Sequence, residues 1–533
     1  MGRKSVISNL SVAGNGAGGL KLKPGQMDDS VEAYSRLGLY STASFFAEAQ
    51  YGGPGCPEDE ILKLARLSLK AKDVKYTLYL IERLDRRPLK PEFRLIAGQC
   101  YLHDKDYDQC LSSVLEESPQ DEISAEKSIS SGICVIRASA LEALENTSSA
   151  ANWYKEAVKR DYRCVQAFER LVTAALINQE DALSLIKQLD IQQNDAWIQS
   201  YYVCFSVASD PSKSDMFEEN LRILRDNCGH SGGPWLRYLT ARHAFAQHKY
   251  RSCMKMTSDA IHLVERGEHW ILLHLAATFE ASGSDLFSVS HRLEDQFPQT
   301  KISFLAIGYY YLQNKQEDKA KRYLQKATAF DPQFGPAWIA LGHVLSVQDD
   351  SDGALAAYRT AARLMPASHL PLIYSGMEYA RLNLISHAIK YLSMAREIAA
   401  WDPTPLYELG VLSYQAGDLE TAGTYFHKAL EELKPCAEDE DLLVATYLGL
   451  GHVLRRQRSY SKAREMYLNA QALNPTCQTT TAALAMTYHG EGNVSKAVVF
   501  YHQSLRGKLN MTTTVQMLVE SALKEVNLLP LEA

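Results

Sequence analysis

No apolar run in this chain approaches the roughly 20 residues that a helix needs to span a bilayer, so a membrane-crossing role is not expected. There is no excess of positive charge either. Lys and Arg number 56 against 63 Asp and Glu, a formal net charge of −7, and the two signs are interspersed. The basic stripe that a nucleic-acid binder needs is therefore missing. Ten cysteines lie scattered without a CxxC pair, which points to unpaired thiols in a reducing compartment, nucleus and cytoplasm. In such a compartment the sequons at Asn146, Asn493 and Asn510 carry no glycan. The fifteen histidines form neither an HExxH motif nor a Cys/His zinc spacing, and no metal or cofactor is expected. The run "GNGAGG" (14–19) lacks a preceding strand, a following helix and the Lys-Ser/Thr pair of a phosphate loop. No nucleophile motif announces itself, and the expectation is a non-enzyme. Nor is there sustained β alternation, so the chain reads as all-α. The N-terminus has basic residues but no apolar h-region, so a secretory signal is not expected, and its glycines suggest a disordered tail over 1–27.

What the sequence does have is a period. In "FGPAWIALGHVL" (334–345) Gly342 stands near the bulky Trp338, and stepping by 34 residues lands on Gly308, Gly376 and Gly410. After an insertion of seven residues the series resumes at Gly451 and Ala485. Ala354 has counterparts at Ala320, Ala388, Ala422, Ala463 and Ala497. Ala361 has counterparts at Ala327, Ala395, Ala429 and Ala470, with Ser504 closing that series. Bulky residues fall between them: Leu324, Tyr358, Leu392, Phe426, Tyr467 and Tyr501. Pro332, Pro366 and Pro475 close three units, since proline cannot continue a helix. A 34-residue unit with this small/large pattern is the tetratricopeptide (TPR) repeat, two antiparallel helices each. The small residue of helix A lets helix B approach, and the second alanine of helix B receives the next repeat. The expected fold is an all-α right-handed TPR superhelix, an α-solenoid of about thirteen helix pairs.

Four segments follow from the regularity of the pattern. After the tail, residues 28–300 read as a degenerate N-terminal array, 301–511 as a regular C-terminal array, and 512–533 as a capping helix and tail. "KPCAEDEDLL" (434–443) is an acidic insertion between two good repeats. The A helices should line the concave face. In the regular array their inward positions are Tyr309; Ile339 and His343; Ile373, Tyr374, Met377 and Arg381; Tyr407, Glu408, Val411 and Tyr414; and Leu448, His452, Arg455 and Arg456. Aromatics, Met and Arg are favoured where partners are anchored, so this surface is the candidate partner groove. It is not the carboxylate clamp of heat-shock co-chaperones: the position that carries Asn there holds Tyr309, His343, Met377, Val411, His452 and Met486 here.

Several segments say more than a generic repeat does. Residues 334–382, "LYELGVLSYQAGDLETAGTYFHKALEEL" (406–433), "YLGLGHVLRRQRSYSKAREMY" (447–467) and "GEGNVSKAVVFYHQSL" (490–505) resemble the cell division cycle protein sixteen family, a TPR subunit of the anaphase-promoting complex. The turn "HLPLIYSGMEY" with Pro371 is the most specific piece. The resemblance implies a non-catalytic scaffold subunit of a multisubunit ubiquitin ligase that controls mitotic progression. It further implies a homodimer through the N-terminal repeats and a C-terminal groove holding the N-terminus of a small subunit, cell division cycle protein twenty-six. The competing reading is another TPR adaptor of a large assembly, such as an activator-tail-binding subunit of the same ligase.

Overall fold

The structure, a computed structural model, describes residues 24–528 apart from 52–55, 85–88, 116–125, 229–232, 260–261, 263–267, 282–284, 434–439 and 506–511. The described residues form 29 α-helices and no strand. These make fourteen helix pairs and a last helix, Thr512–Leu528, one pair more than the repeat pattern suggests. The extra pair comes from 165–300, where helices as short as Tyr250–Met256 and connections of varying length break the period. The first helix begins at Pro24, inside the stretch expected to be tail; the rest of the tail and most of the acidic insertion lie outside the described residues.

The crossing residues behave as the repeat predicts. Ala320, Ala354, Ala388, Ala422, Ala463 and Ala497 are fully buried, and so are Ala327, Ala361, Ala395, Ala429, Ala470 and Ser504. A β-carbon at Gly342 would lie 2.4 Å from the Tyr358 ring, and one at Gly410 2.8 Å from Phe426, the bulky partner of its own repeat in each case. The turn joining helix A to helix B keeps the same period. It holds a left-handed residue at Lys315, Asp349, Asn383, Gly417, Arg458 and Gly492. Lys72, Lys105 and Glu145 continue that series into the degenerate repeats.

The chain packs as two compact units, 1–140 and 141–533. The first has helix pairs cored by Ala43, Ala47, Leu64 and Leu80, then by Ala65, Ile81, Phe93 and Ile96. In the second, the change in regularity near residue 300 makes no break: helix Asp285–Gln296 packs on Lys301–Gln313. The terminal helix caps the stack by burying Val515, Val519 and Ala522 against Ala482, Ala485 and Tyr501.

Within this second unit, segments far apart in sequence also meet. The Ala367 amide donates to the Ala175 carbonyl at 2.8 Å. The Gln333 side chain donates to the Ala143 carbonyl, and Arg363 pairs with Glu145 across 218 residues. A stack in which each repeat touches only its neighbours cannot produce such contacts unless it winds back on itself.

Candidate partner groove

In the packing of alternate helices, the closer approaches all join A helices: Lys301–Gln313 to Gly335–Val347, Leu370–Arg381 to Thr404–Ala416, Thr404–Ala416 to Glu440–Arg456, and Glu440–Arg456 to Gln478–Gly490. A helices drawn together more closely than B helices make a stack that curves with its A helices inside. That curvature turns the inward positions into one wall.

The wall is aromatic and half-buried. Tyr309 lies against Phe279 with ring centroids 4.9 Å apart. His343 Nδ1 meets the Tyr358 hydroxyl at 3.0 Å, and its ring stands edge-on to Tyr374 at 4.3 Å. His452 repeats the device, with Nδ1 2.8 Å from the Tyr467 hydroxyl. Burial pushes the pKa of His343 down to about 4; burial and then the nearby Arg455 do the same to His452, again to about 4. Both imidazoles are thus neutral at pH 7 and offer a ligand no positive charge. Ile339, Val411 and Leu448 are half-buried apolar wall, Val411 and Leu448 packing against the clusters around Phe426 and Tyr467. Met377 is 38 % exposed, whereas Ile373 is buried at 2 % and belongs to the core, since its side chain packs with Leu392 and Leu409.

The charged residues divide into committed and uncommitted. Arg381 binds Glu378 and reaches Asp349 at 2.5 Å and Ser351 at 2.8 Å. Burial raises the Glu378 carboxyl, but the hydrogen bonds from Arg381, Ser351 and Ser346 outweigh it and hold it below its usual range. Arg456 lies 5.0 Å over the Tyr414 ring and donates to the Tyr414 carbonyl. Arg455 has a buried Nε with no acceptor. Tyr407 faces Phe426 at 5.9 Å, and the neighbouring Glu408 has no hydrogen bond or ion pair among the described residues. Burial alone raises the Glu408 carboxyl to about 7.

Rings also pack between the A helices of the irregular repeats, where Tyr201, Tyr238 and Trp270 are buried. In helices Ala196–Val207, Pro234–Ala246 and Glu268–Glu280, Tyr201 contacts Trp235 at 5.5 Å and Tyr238 contacts Trp270 at 5.0 Å. The Tyr201 hydroxyl donates to Glu169 at 2.5 Å, and Arg242 lies 5.1 Å over Phe205. The signal was present in "DAWIQSYYVCF" and "PWLRYLTARHAF", where large rings recur at helical spacing, but the irregular connections hid their register. Among the described residues no group of three or more His, Cys, Asp or Glu could hold a metal ion, and no helix is long and apolar enough to cross a membrane.

Fold and wall together define an all-α TPR superhelix, and the tetratricopeptide repeat family model matches residues 303–334. Anaphase-promoting complex subunit 6 of Arabidopsis thaliana is 32% identical over 86% of this chain and 89% of its own length. The Homo sapiens cell division cycle protein 16 homolog is 30% identical over 80% of this chain and 72% of its own. The chain belongs to this family of anaphase-promoting complex subunits. The crystal structure of the anaphase-promoting complex hetero-tetramer Cut9–Hcn1 contains a chain that superposes with a TM-score of 0.76 at 26% identity, covering 94% of this chain and 97% of that one.

Proposed function

We propose that this protein is a non-catalytic scaffold subunit of the anaphase-promoting complex, working in nucleus and cytoplasm, which holds an extended segment of a small partner subunit along its inner wall. The observation that carries this reading is the run of half-buried rings at Tyr374, Tyr407 and Tyr414, beside an exposed Met377. Rings that pack at one edge and stay open at the other are the anchors protein interfaces use, and they lose little conformational entropy on binding. The similar protein Cut9 is crystallised with Hcn1, which supports a second chain as the occupant. Replacing Tyr407 or Tyr414 by Ala should leave helicity unchanged and weaken partner binding tenfold or more per site, about 1.4 kcal/mol each, in calorimetry. Unchanged affinity for both variants would remove the groove from the account.

The same proposal includes a homodimer through the N-terminal repeats. In the first unit Leu37, Leu39 and Phe45 are 71, 52 and 65 % exposed, a concentration of apolar surface that a C2 interface would cover with its own copy. The full chain should sediment as a dimer at micromolar concentration and Phe45→Glu as a monomer. A monomeric parent chain counts against the dimer.

A further inference from the structure

Most of the charge on the inner wall is matched; among the acidic wall positions Glu408 is the one without a hydrogen bond or ion pair among the described residues. Counting by repeat, its equivalents are Tyr374 one unit earlier and Gly449 one unit later, so it stands between an aromatic ring and a position with no side chain. Cations on the neighbouring helices are engaged elsewhere: Arg381 with Glu378 and Asp349, Arg396 with Glu432, and Arg456 on Tyr414. Arg455 acts on His452 and Tyr467. Of its other wall neighbours, Tyr374 and Tyr407 are neutral phenols and His452 is a neutral imidazole, and none of the arginines forms an ion pair with Glu408 among the described residues. A half-buried carboxylate among rings is costly for an empty scaffold, because desolvation is not offset by any partner.

We infer that the segment held in the groove places a lysine or arginine side chain against Glu408, beside Tyr407. The inference rests on the groove reading and deepens it by naming the chemistry of one contact. A guanidinium or ammonium meets the carboxylate directly, in a charge-assisted hydrogen bond that offsets its desolvation. It also fixes a pH dependence. Free Glu408 is half-protonated near pH 7, and a paired cation favours its charged form. Binding therefore expels a proton in the range between the lowered pKa of the complex and about 7, and affinity rises as pH rises from 5.5 to 8.

The test uses the full chain and purified Hcn1, titrated by calorimetry at pH 5.5 and 8 in buffers of differing ionisation enthalpy. Wild type should bind at least fivefold tighter at pH 8 and release protons at pH 5.5 to 7. Glu408→Gln should bind tenfold or more weaker at pH 8, lose the pH dependence and lose the proton release. Among Hcn1 variants with single Lys or Arg residues replaced by Gln, one should cost tenfold with wild type and almost nothing with Glu408→Gln. If Tyr407→Ala and Tyr414→Ala weaken binding while Glu408→Gln does not, or if no basic residue couples to Glu408, the cation is refuted and the groove stands. If none of the three substitutions matters, the groove fails and the inference falls with it.

Discussion

Two histidines a repeat-series apart, His343 and His452, show how a residue type can mislead when its surroundings are unknown. By position they are wall residues, and a protonated imidazole there would help orient an acidic ligand. Each instead shares its Nδ1 with a tyrosine hydroxyl of the same repeat, at 3.0 and 2.8 Å, and burial keeps both neutral. Their pKa values of about 4 lie below the 6.5 of a free imidazole, so between these values the unfolded chain binds more protons than the folded one. The stability that depends on neutral imidazoles is complete above pH 6.5 and is lost progressively as pH falls toward 4. Thermal unfolding of the unliganded chain should therefore shift to lower temperature over that window, and His343→Gln, which cannot take up a proton, should flatten the decline. Glu408 works in the opposite direction, since its raised carboxyl favours the folded state at acid pH. A decline of equal steepness in the His343→Gln chain would show that the imidazole is not among the groups responsible.

At the scale of the helix pair, the sequence is legible wherever a steric demand repeats at a fixed offset. Gly342 faces Tyr358 and Gly410 faces Phe426 because a large ring on helix B fits only where helix A offers no β-carbon, and both members of each pair can be read from spacing. The terminal helix was legible for the same reason, as an apolar face following the last period. Two features were not. The A-to-B turns place Lys315, Asp349, Asn383 and Arg458 at φ of 56 to 60°, a conformation glycine would mark in a sequence, but here glycine supplies it only at Gly417 and Gly492 in the regular array. Helix packing on either side evidently overrides a local preference of about 1 kcal/mol per residue. Helix pairs between 165 and 300 were also obscured, because a period is visible only when connections keep one length. There Tyr201, Trp235 and Tyr238 join successive A helices through ring contacts. For the expected groove, spacing yields candidate wall positions but not their states. It could not tell that Ile373 turns into the core, that Arg381 is held by Glu378, or that Glu408 is left alone.

At the scale of the whole larger unit, what matters is that the stack closes on itself. A repeat array held only by neighbour contacts is a spring, and its groove can open along its length at small cost. The contacts of Ala175 with Ala367, Ala143 with Gln333, and Glu145 with Arg363 join segments about a superhelical turn apart. Their strengths differ. The Arg363–Glu145 pair is 56 and 37 % exposed, and such pairs are worth at most about 1 kcal/mol. The amide bond at Ala367 is better placed, because its acceptor is carried by Ala175, held at φ of 50° with its carbonyl turned toward the next turn. Closing this seam limits how far the A helices can spread, and so presets the width of the wall proposed to hold a partner segment. Hydrogen exchange can separate the seam from the helices it joins. In the wild-type chain the Ala367 amide should exchange more slowly than its position in a turn implies. The double substitution Arg363→Ala with Gln333→Ala should raise exchange at Ala367 and around Glu145 while leaving helices Gly335–Val347 and Leu370–Arg381 protected. It should also speed the association of a groove-binding partner, since a spread wall admits a segment from the side instead of from an end. Fast exchange at Ala367 in the wild type, equal to that of other turn amides, would mean that the turns are not latched and that the groove's width is set by the repeats alone.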